Sequence, residues 1–72
     1  QFTVYGDVRR GRRPSFDAAM PPEPARLAFE RFVALLRQRG VAVQTGQFAA
    51  AMRVLVDNDG PVSIIIDSNK LF

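Results

Sequence analysis

Met52-Arg53-Val54-Leu55-Val56-Asp57-Asn58-Asp59-Gly60-Pro61-Val62-Ser63-Ile64-Ile65-Ile66 is the stretch on which the reading of this chain turns. Residues 52–56 and 62–66 are rich in Val, Ile and Leu, the composition of strands. Asn58-Asp59-Gly60 between them is a turn signal, because these residues tolerate positive φ and hydrogen-bond their own backbone. Pro61 is out of pattern: it lacks an amide donor and belongs at a strand start, an edge or a bulge. A Gly-Pro bond is also a candidate for the cis form, which aims two consecutive carbonyls in an unusual direction. A plain hairpin turn is the simpler reading of the same residues.

Outward from this stretch, Ile64-Ile65-Ile66 shows no alternation, which predicts a strand covered on both faces. Left uncovered, it is an aggregation hazard. Upstream, Val41-Ala42-Val43-Gln44-Thr45 reads as a strand, followed by Gly46-Gln47-Phe48 and an Ala49-Ala50-Ala51 run. Residues 21–39 carry the clear helical pattern. Phe29, Phe32, Val33 and Leu36 fall at i, i+3, i+4 and i+7, and Ala25 extends the stripe. Pro22 and Pro24 fit a first turn, and Glu23, Arg37 and Arg39 suit the helix dipole. Gly40 is a natural residue to follow a helix end, while no Ser, Thr, Asp or Asn directly precedes the start. The stripe is expected to form a core against a sheet, with a partner-binding groove as the minor alternative.

At the other end, residues 1–5 read as a short strand ended by Gly6-Asp7. Residues 8–20 form a loop long enough to suggest function. The pattern of strand, long loop, helix and three strands predicts an α+β (or α/β) fold. Its expected architecture is one amphipathic helix packed on a mostly antiparallel sheet of about four strands, half of a larger domain. One helix covers one face of such a sheet, so a further half or a second subunit is expected over the other. The start at Gln1, directly inside a strand-like run, and the final Asn69-Lys70-Leu71-Phe72 predict a fragment: residues 1–68 as a domain piece and 69–72 as a tail.

Composition narrows the chemistry. Seventy-two residues make one domain at most, and the apolar fraction of 47% is ordinary for a globular chain. The chain has no cysteine and no histidine, so it cannot by itself build a disulfide, a Ser-His or Cys-His pair, or a His-ligated metal site. A cytoplasmic location is compatible with this, no stretch approaches the roughly 20 apolar residues of a membrane span, and no signal-peptide pattern opens the chain. No cofactor or metal is expected.

Net charge is +3, concentrated at Arg9, Arg10, Arg12 and Arg13 with Asp7 beside them. Such a cluster can hold phosphates through guanidinium contacts, or it can be a solvated basic loop. Ser15 and Thr3 have no histidine to activate them, and Asp57 with Asp59 looks like turn chemistry rather than an acid–base pair. An enzyme built from these residues would rely on backbone groups. Amides near Gln1-Phe2-Thr3 could stabilise an oxyanion, and carbonyls at Gly60-Pro61 could orient a cation.

Four motifs in order carry a resemblance: Gln1-Phe2-Thr3-Val4-Tyr5-Gly6-Asp7, Arg10-Gly11-Arg12-Arg13-Pro14-Ser15-Phe16, Phe48-Ala49-Ala50-Ala51-Met52 and Asn58-Asp59-Gly60-Pro61-Val62-Ser63. Together the chain resembles the D-aminoacyl-tRNA deacylase family over residues 1 to about 68, corresponding to its C-terminal half. The resemblance implies a cytoplasmic homodimer that hydrolyses the ester between tRNA and a D-amino acid, and that also acts on glycine mischarged onto tRNA. It implies that Gln1, Phe2 and Thr3 line the catalytic pocket as the remnant of a Ser-Gln-x-Thr motif whose serine would precede Gln1. It implies a cis Gly60-Pro61 that reaches into the other subunit's pocket, where two carbonyls hold the substrate's α-amino group and exclude an L side chain. Ser63 stands where threonine is usual, Ala49 where glycine is usual and Ala51 where aspartate is common. Arg9, Arg10, Arg12 and Arg13 become expected tRNA-backbone contacts. A non-catalytic basic RNA-binding module and an inactive fragment that folds by self-association are the alternatives.

Overall fold

Pro22, Pro24 and Gly40 bracket a helix whose two ends are set by different chemistry. The computed structural model describes residues 1–60 and 62–70, and α1 spans Pro22–Gln38. Its first backbone bond runs from the Ala25 N–H to the Pro21 carbonyl at 3.0 Å. The prolines occupy the turn where amide donors have no helical acceptor, so their missing N–H groups cost little. As the sequence suggests, no side chain caps Pro21. Glu23 lies in the first turn and Arg37 in the last, each matching the dipole. Arg26 pairs with Glu23 and, at 2.8 Å, with Glu30. These pairs are exposed to solvent, which screens them, so they add little beyond the i,i+3 and i,i+4 support ordinary for a helix surface.

At the other end, Gly40 adopts φ +81°, a conformation that a Cβ disfavours. Its N–H donates to the Arg37 carbonyl at 3.0 Å, and the Val41 N–H donates to the Leu36 carbonyl at 3.1 Å. These two bonds form a Schellman turn, which satisfies two of the helix's last carbonyls and reverses the chain. The returning segment is then tied back to α1. Arg37 Nη2 donates to the Val43 carbonyl at 3.1 Å. The Phe48 ring lies 5.9 Å from that of Phe29, tilted by 40°, a contact worth about 0.5–1.5 kcal/mol beyond its buried area.

The expected sheet is not formed. Among the described residues, the only β pairing is an isolated antiparallel bridge between Asp7 and Ser15. Phe2–Tyr5, expected as a strand, is a 3₁₀ turn. Residues 41–45, 52–56 and 62–66 have no ladder, and the two runs flanking Asn58-Asp59-Gly60 do not pair. The chain does bend at Asp59 and Gly60, with Gly60 at φ +72°. Pro61, and with it the cis reading of its bond, lies outside the described residues. The physical reason for the correction is that a Val- and Ile-rich run fits a pleated, half-buried surface without specifying which segment completes its backbone bonds.

The core expectation changes accordingly. Of the helical stripe, Val33 alone is buried, while Phe29 and Phe32 remain 44% and 56% exposed. Leu55 and Ile66 are 93% and 90% exposed, so the triple-isoleucine run is covered on neither face. Accessible surface totals 7496 Å², against about 4,450 Å² for a folded monomer of this mass. The radius of gyration, 14.9 Å, exceeds the ~11 Å of a compact domain of this length. Among the described residues, no helix is long and apolar enough to cross a membrane.

Ala49, at the position where the resemblance has glycine, sits at φ +59°. The Ala50 N–H closes this turn on the Gln47 carbonyl at 3.3 Å. A left-handed alanine costs about 1 kcal/mol relative to glycine. Two substitutions should therefore act in opposite directions. Gly40→Ala is expected to cost about 1 kcal/mol and lower the melting midpoint of the helical ellipticity, whereas Ala49→Gly should raise it or leave it unchanged. A stabilising Gly40→Ala would show that the helix does not end in this turn.

Candidate functional site

Asp7 is the hub of the N-terminal segment. Its backbone exchanges two bonds with Ser15, Asp7 N–H to Ser15 C=O and Ser15 N–H to Asp7 C=O, both at 2.8 Å. These bonds cinch the base of a loop of residues 8–14 that carries all four clustered arginines. The Asp7 carboxylate meanwhile accepts the Arg9 backbone N–H at 2.9 Å, Arg9 Nε at 2.9 Å and Arg9 Nη2 at 2.7 Å. The first is a local side-chain-to-backbone turn bond, and the other two are a bidentate fork. Gly11, between Arg10 and Arg12, takes φ +72°. Beyond the loop, Asp17 N–H donates to Ser15 Oγ at 3.3 Å and Ala19 N–H to the Phe16 carbonyl at 3.0 Å.

Of the expected pocket residues Gln1, Phe2 and Thr3, Phe2 packs on Phe16, just beyond this loop. The Phe2 and Phe16 rings meet edge to face, 5.1 Å apart at 78°. Gly6 lies beneath them, where a Cβ would come within 3.1 Å of the Thr3 carbonyl oxygen and 3.2 Å of Phe16 Cε1. A side chain there would push the rings or the turn apart. Gln1 Nε2 donates to Thr3 Oγ1 at 2.6 Å, and the Val4 N–H closes the turn on the Gln1 carbonyl at 3.3 Å. Among the described residues no base contacts the Thr3 hydroxyl, so the geometry gives it no activation as a nucleophile.

The other expected site residues stand apart. Gly60 and Ser63 are exposed, and among the described residues no hydrogen bond, ion pair or ring contact joins them to Gln1, Phe2 or Thr3. The four arginines also divide. Arg9 is paired with Asp7, whereas among the described residues no carboxylate pairs with Arg10, Arg12 or Arg13. Sequence reasoning noted Asp7 only as a neighbouring charge. The available signal was an Asp two positions before an arginine whose amide it can accept. The Phe2–Phe16 contact had no such signal, since nothing in either motif specifies the distance between them.

The fork lowers the Asp7 carboxyl from 3.8 to about 2, first through the Arg9 side-chain hydrogen bond and then through the Arg9 amide. The same pairing raises Arg9 above its ordinary value. Since the ordered form holds Asp7 ionised below its free pKa, loop ordering from this pair is fully present above about pH 4. It is lost as pH falls through about 2. A carbon-13 titration of the Asp7 carboxyl should have its midpoint near 2, and Arg9→Ala should return it toward 3.8. An unchanged midpoint in that variant would exclude the fork.

The family model described as D-Tyr-tRNA(Tyr) deacylase matches residues 1–67. D-aminoacyl-tRNA deacylases of Sorangium cellulosum and Thermotoga petrophila are 62% and 58% identical over 72 residues, covering 100% of this chain and 48% of each relative. That of Kocuria rhizophila is 55% identical over 71 residues, 99% of this chain and 47% of the relative. The chain thus spans about half the length of the curated relatives it matches. With the motif order, the match across residues 1–67 and these identities in agreement, the chain belongs to the D-Tyr-tRNA(Tyr) deacylase family.

Proposed function

We propose that this chain is the C-terminal half, residues 1–68 with a tail at 69–72, of an enzyme that hydrolyses the ester of D-aminoacyl-tRNA and of glycine mischarged on tRNA. The observation that carries the proposal is the family match over residues 1–67. In the reaction, water attacks the ester carbonyl carbon, the bond to the tRNA oxygen breaks, and the products are the free amino acid and tRNA with its hydroxyl restored. The tRNA's terminal 2′-hydroxyl assists the water, which agrees with a Thr3 that no base activates. Backbone amides at Phe2 and Thr3 receive the developing oxyanion, a contribution of about 10²–10³ in rate for each donor. Gln1 fixes the Thr3 hydroxyl beside them.

Chirality is proofread from the far end of the chain. The carbonyls of Gly60 and Pro61 receive the substrate's α-ammonium in a partner subunit's pocket, with Ser63 supporting the turn. An L side chain is excluded because it would have to occupy the space those carbonyls fill. The partners are the aminoacylated 3′ end of tRNA and a second copy of the chain, in a homodimer or a higher assembly, in the cytoplasm. The arginine loop supplies the tRNA-backbone contact. A second reading, a fragment that self-associates without catalysis, is favoured by the 7496 Å² of accessible surface.

Ester loss from matched D- and L-aminoacyl-tRNA separates these readings. Selective loss of the D form is expected; no loss, with a defined oligomer by sedimentation, supports the second reading. In an active assembly Thr3→Ala should keep the rate within about tenfold, because no nucleophile is removed, unlike the loss of a covalent catalyst. Pro61→Ala should lower D-over-L selectivity, because the turn would no longer fix its carbonyls in the space that an L side chain needs. Retained selectivity would remove the turn from the chirality filter.

A further inference from the structure

The four arginines of residues 8–14 are equal in sequence but not in structure. Arg9 has spent the donor edge of its guanidinium: Nε and Nη2 lie 2.9 and 2.7 Å from the two oxygens of Asp7, and its own amide closes on the same carboxylate. A planar guanidinium whose Nε/Nη2 edge holds a carboxylate cannot present that edge to a phosphate at the same time. The shallow depression beside it, about 530 Å³ in volume, is lined by Asp7, Arg9, Arg10, Ser15, Asp17 and Ala18. It sets two carboxylates against two guanidiniums and so is not an anion pocket. Arg12 and Arg13 lie outside that lining. Among the described residues no acidic partner is paired with Arg10, Arg12 or Arg13.

Resting on the reading of this loop as a tRNA contact, we propose that Arg9 is a positioning residue that orders the start of the loop through Asp7, while Arg10, Arg12 and Arg13 carry the phosphate contacts. The loop is thereby a three-pronged phosphate reader with an internal strut. The strut joins the turn at Asp7, pinned to Ser15 by the reciprocal backbone bonds, to the start of the arginine run. Asp7, Asp17 and Arg10 are the charged groups that border Arg9 in the depression, and among the described residues Asp7 is the carboxylate that bonds it.

Salt dependence distinguishes a strut from a prong, because each phosphate contact contributes about 0.9 to the slope of log affinity against log salt on a duplex. Binding of the full chain to uncharged tRNA is measured between 50 and 200 mM salt. Arg10→Ala, Arg12→Ala and Arg13→Ala should each reduce the salt-induced loss of affinity by about 3.5-fold. Arg9→Ala should leave that loss unchanged while moving the Asp7 carboxyl titration up toward 3.8. A slope reduced by Arg9→Ala as much as by the others overturns the strut and leaves the tRNA contact standing. Salt-independent binding, or none, by the unsubstituted chain overturns the tRNA contact itself. An unmoved Asp7 titration in Arg9→Ala also overturns the strut, whatever the slope.

Discussion

An extended segment cannot complete its own backbone hydrogen bonds. A helix satisfies its amides internally, whereas a strand needs a neighbour for every other N–H and C=O along its length. Residues 41–45, 52–56 and 62–66 have the composition of strands and, among the described residues, no strand partner. The remaining features follow from this lack. Apolar side chains that would line a sheet face stay in water, as Leu55 and Ile66 do. The helix's own stripe has no sheet to pack on, and only Val33 is buried. At about 25 cal/mol per Å², the roughly 3,000 Å² of surface beyond that of a folded monomer is a large driving force for association, even if only part of it is apolar.

Among the described residues most of the order is local and lies in two units, apart from a turn at Asp67–Lys70. The first joins Phe2, Gly6, Asp7, Ser15 and Phe16 through a bridge, a carboxylate fork and an edge-to-face ring pair. The second runs from Pro22 through the Gly40 reversal to Phe48. Each uses interactions that a single segment or two adjacent segments can supply. The two units also carry different parts of the proposed chemistry: pocket and phosphate contact in the first, scaffold in the second. The Gly60 turn belongs to neither.

Sequence reading succeeded where the signal is short-range. The spacing of Phe29, Phe32, Val33 and Leu36, two early prolines and Gly40 located α1 to within one residue at each end. Ala49, a departure from the resembling family's glycine, coincides with a positive φ, so the usual residue there has a conformational reason. It failed where a segment's fate depends on a partner: Val4 and Tyr5 entered a 3₁₀ turn, and the later runs found no ladder. In the candidate site, the order of motifs singled out Gln1, Thr3 and the arginines as expectations. It could not weigh Arg9 against Arg10, because the difference lies in which guanidinium reaches a carboxylate.

The reversal at Arg39, Gly40 and Val41 bears on the order of assembly. Phe29 and Phe48, whose rings meet across it, are 19 positions apart, and the Arg37–Val43 bond spans only six. Contacts of such low sequence separation close with little loop entropy and on fast timescales. The helix and its returning segment are therefore a local unit of low sequence separation. It can form within one chain, from contacts that need no other segment.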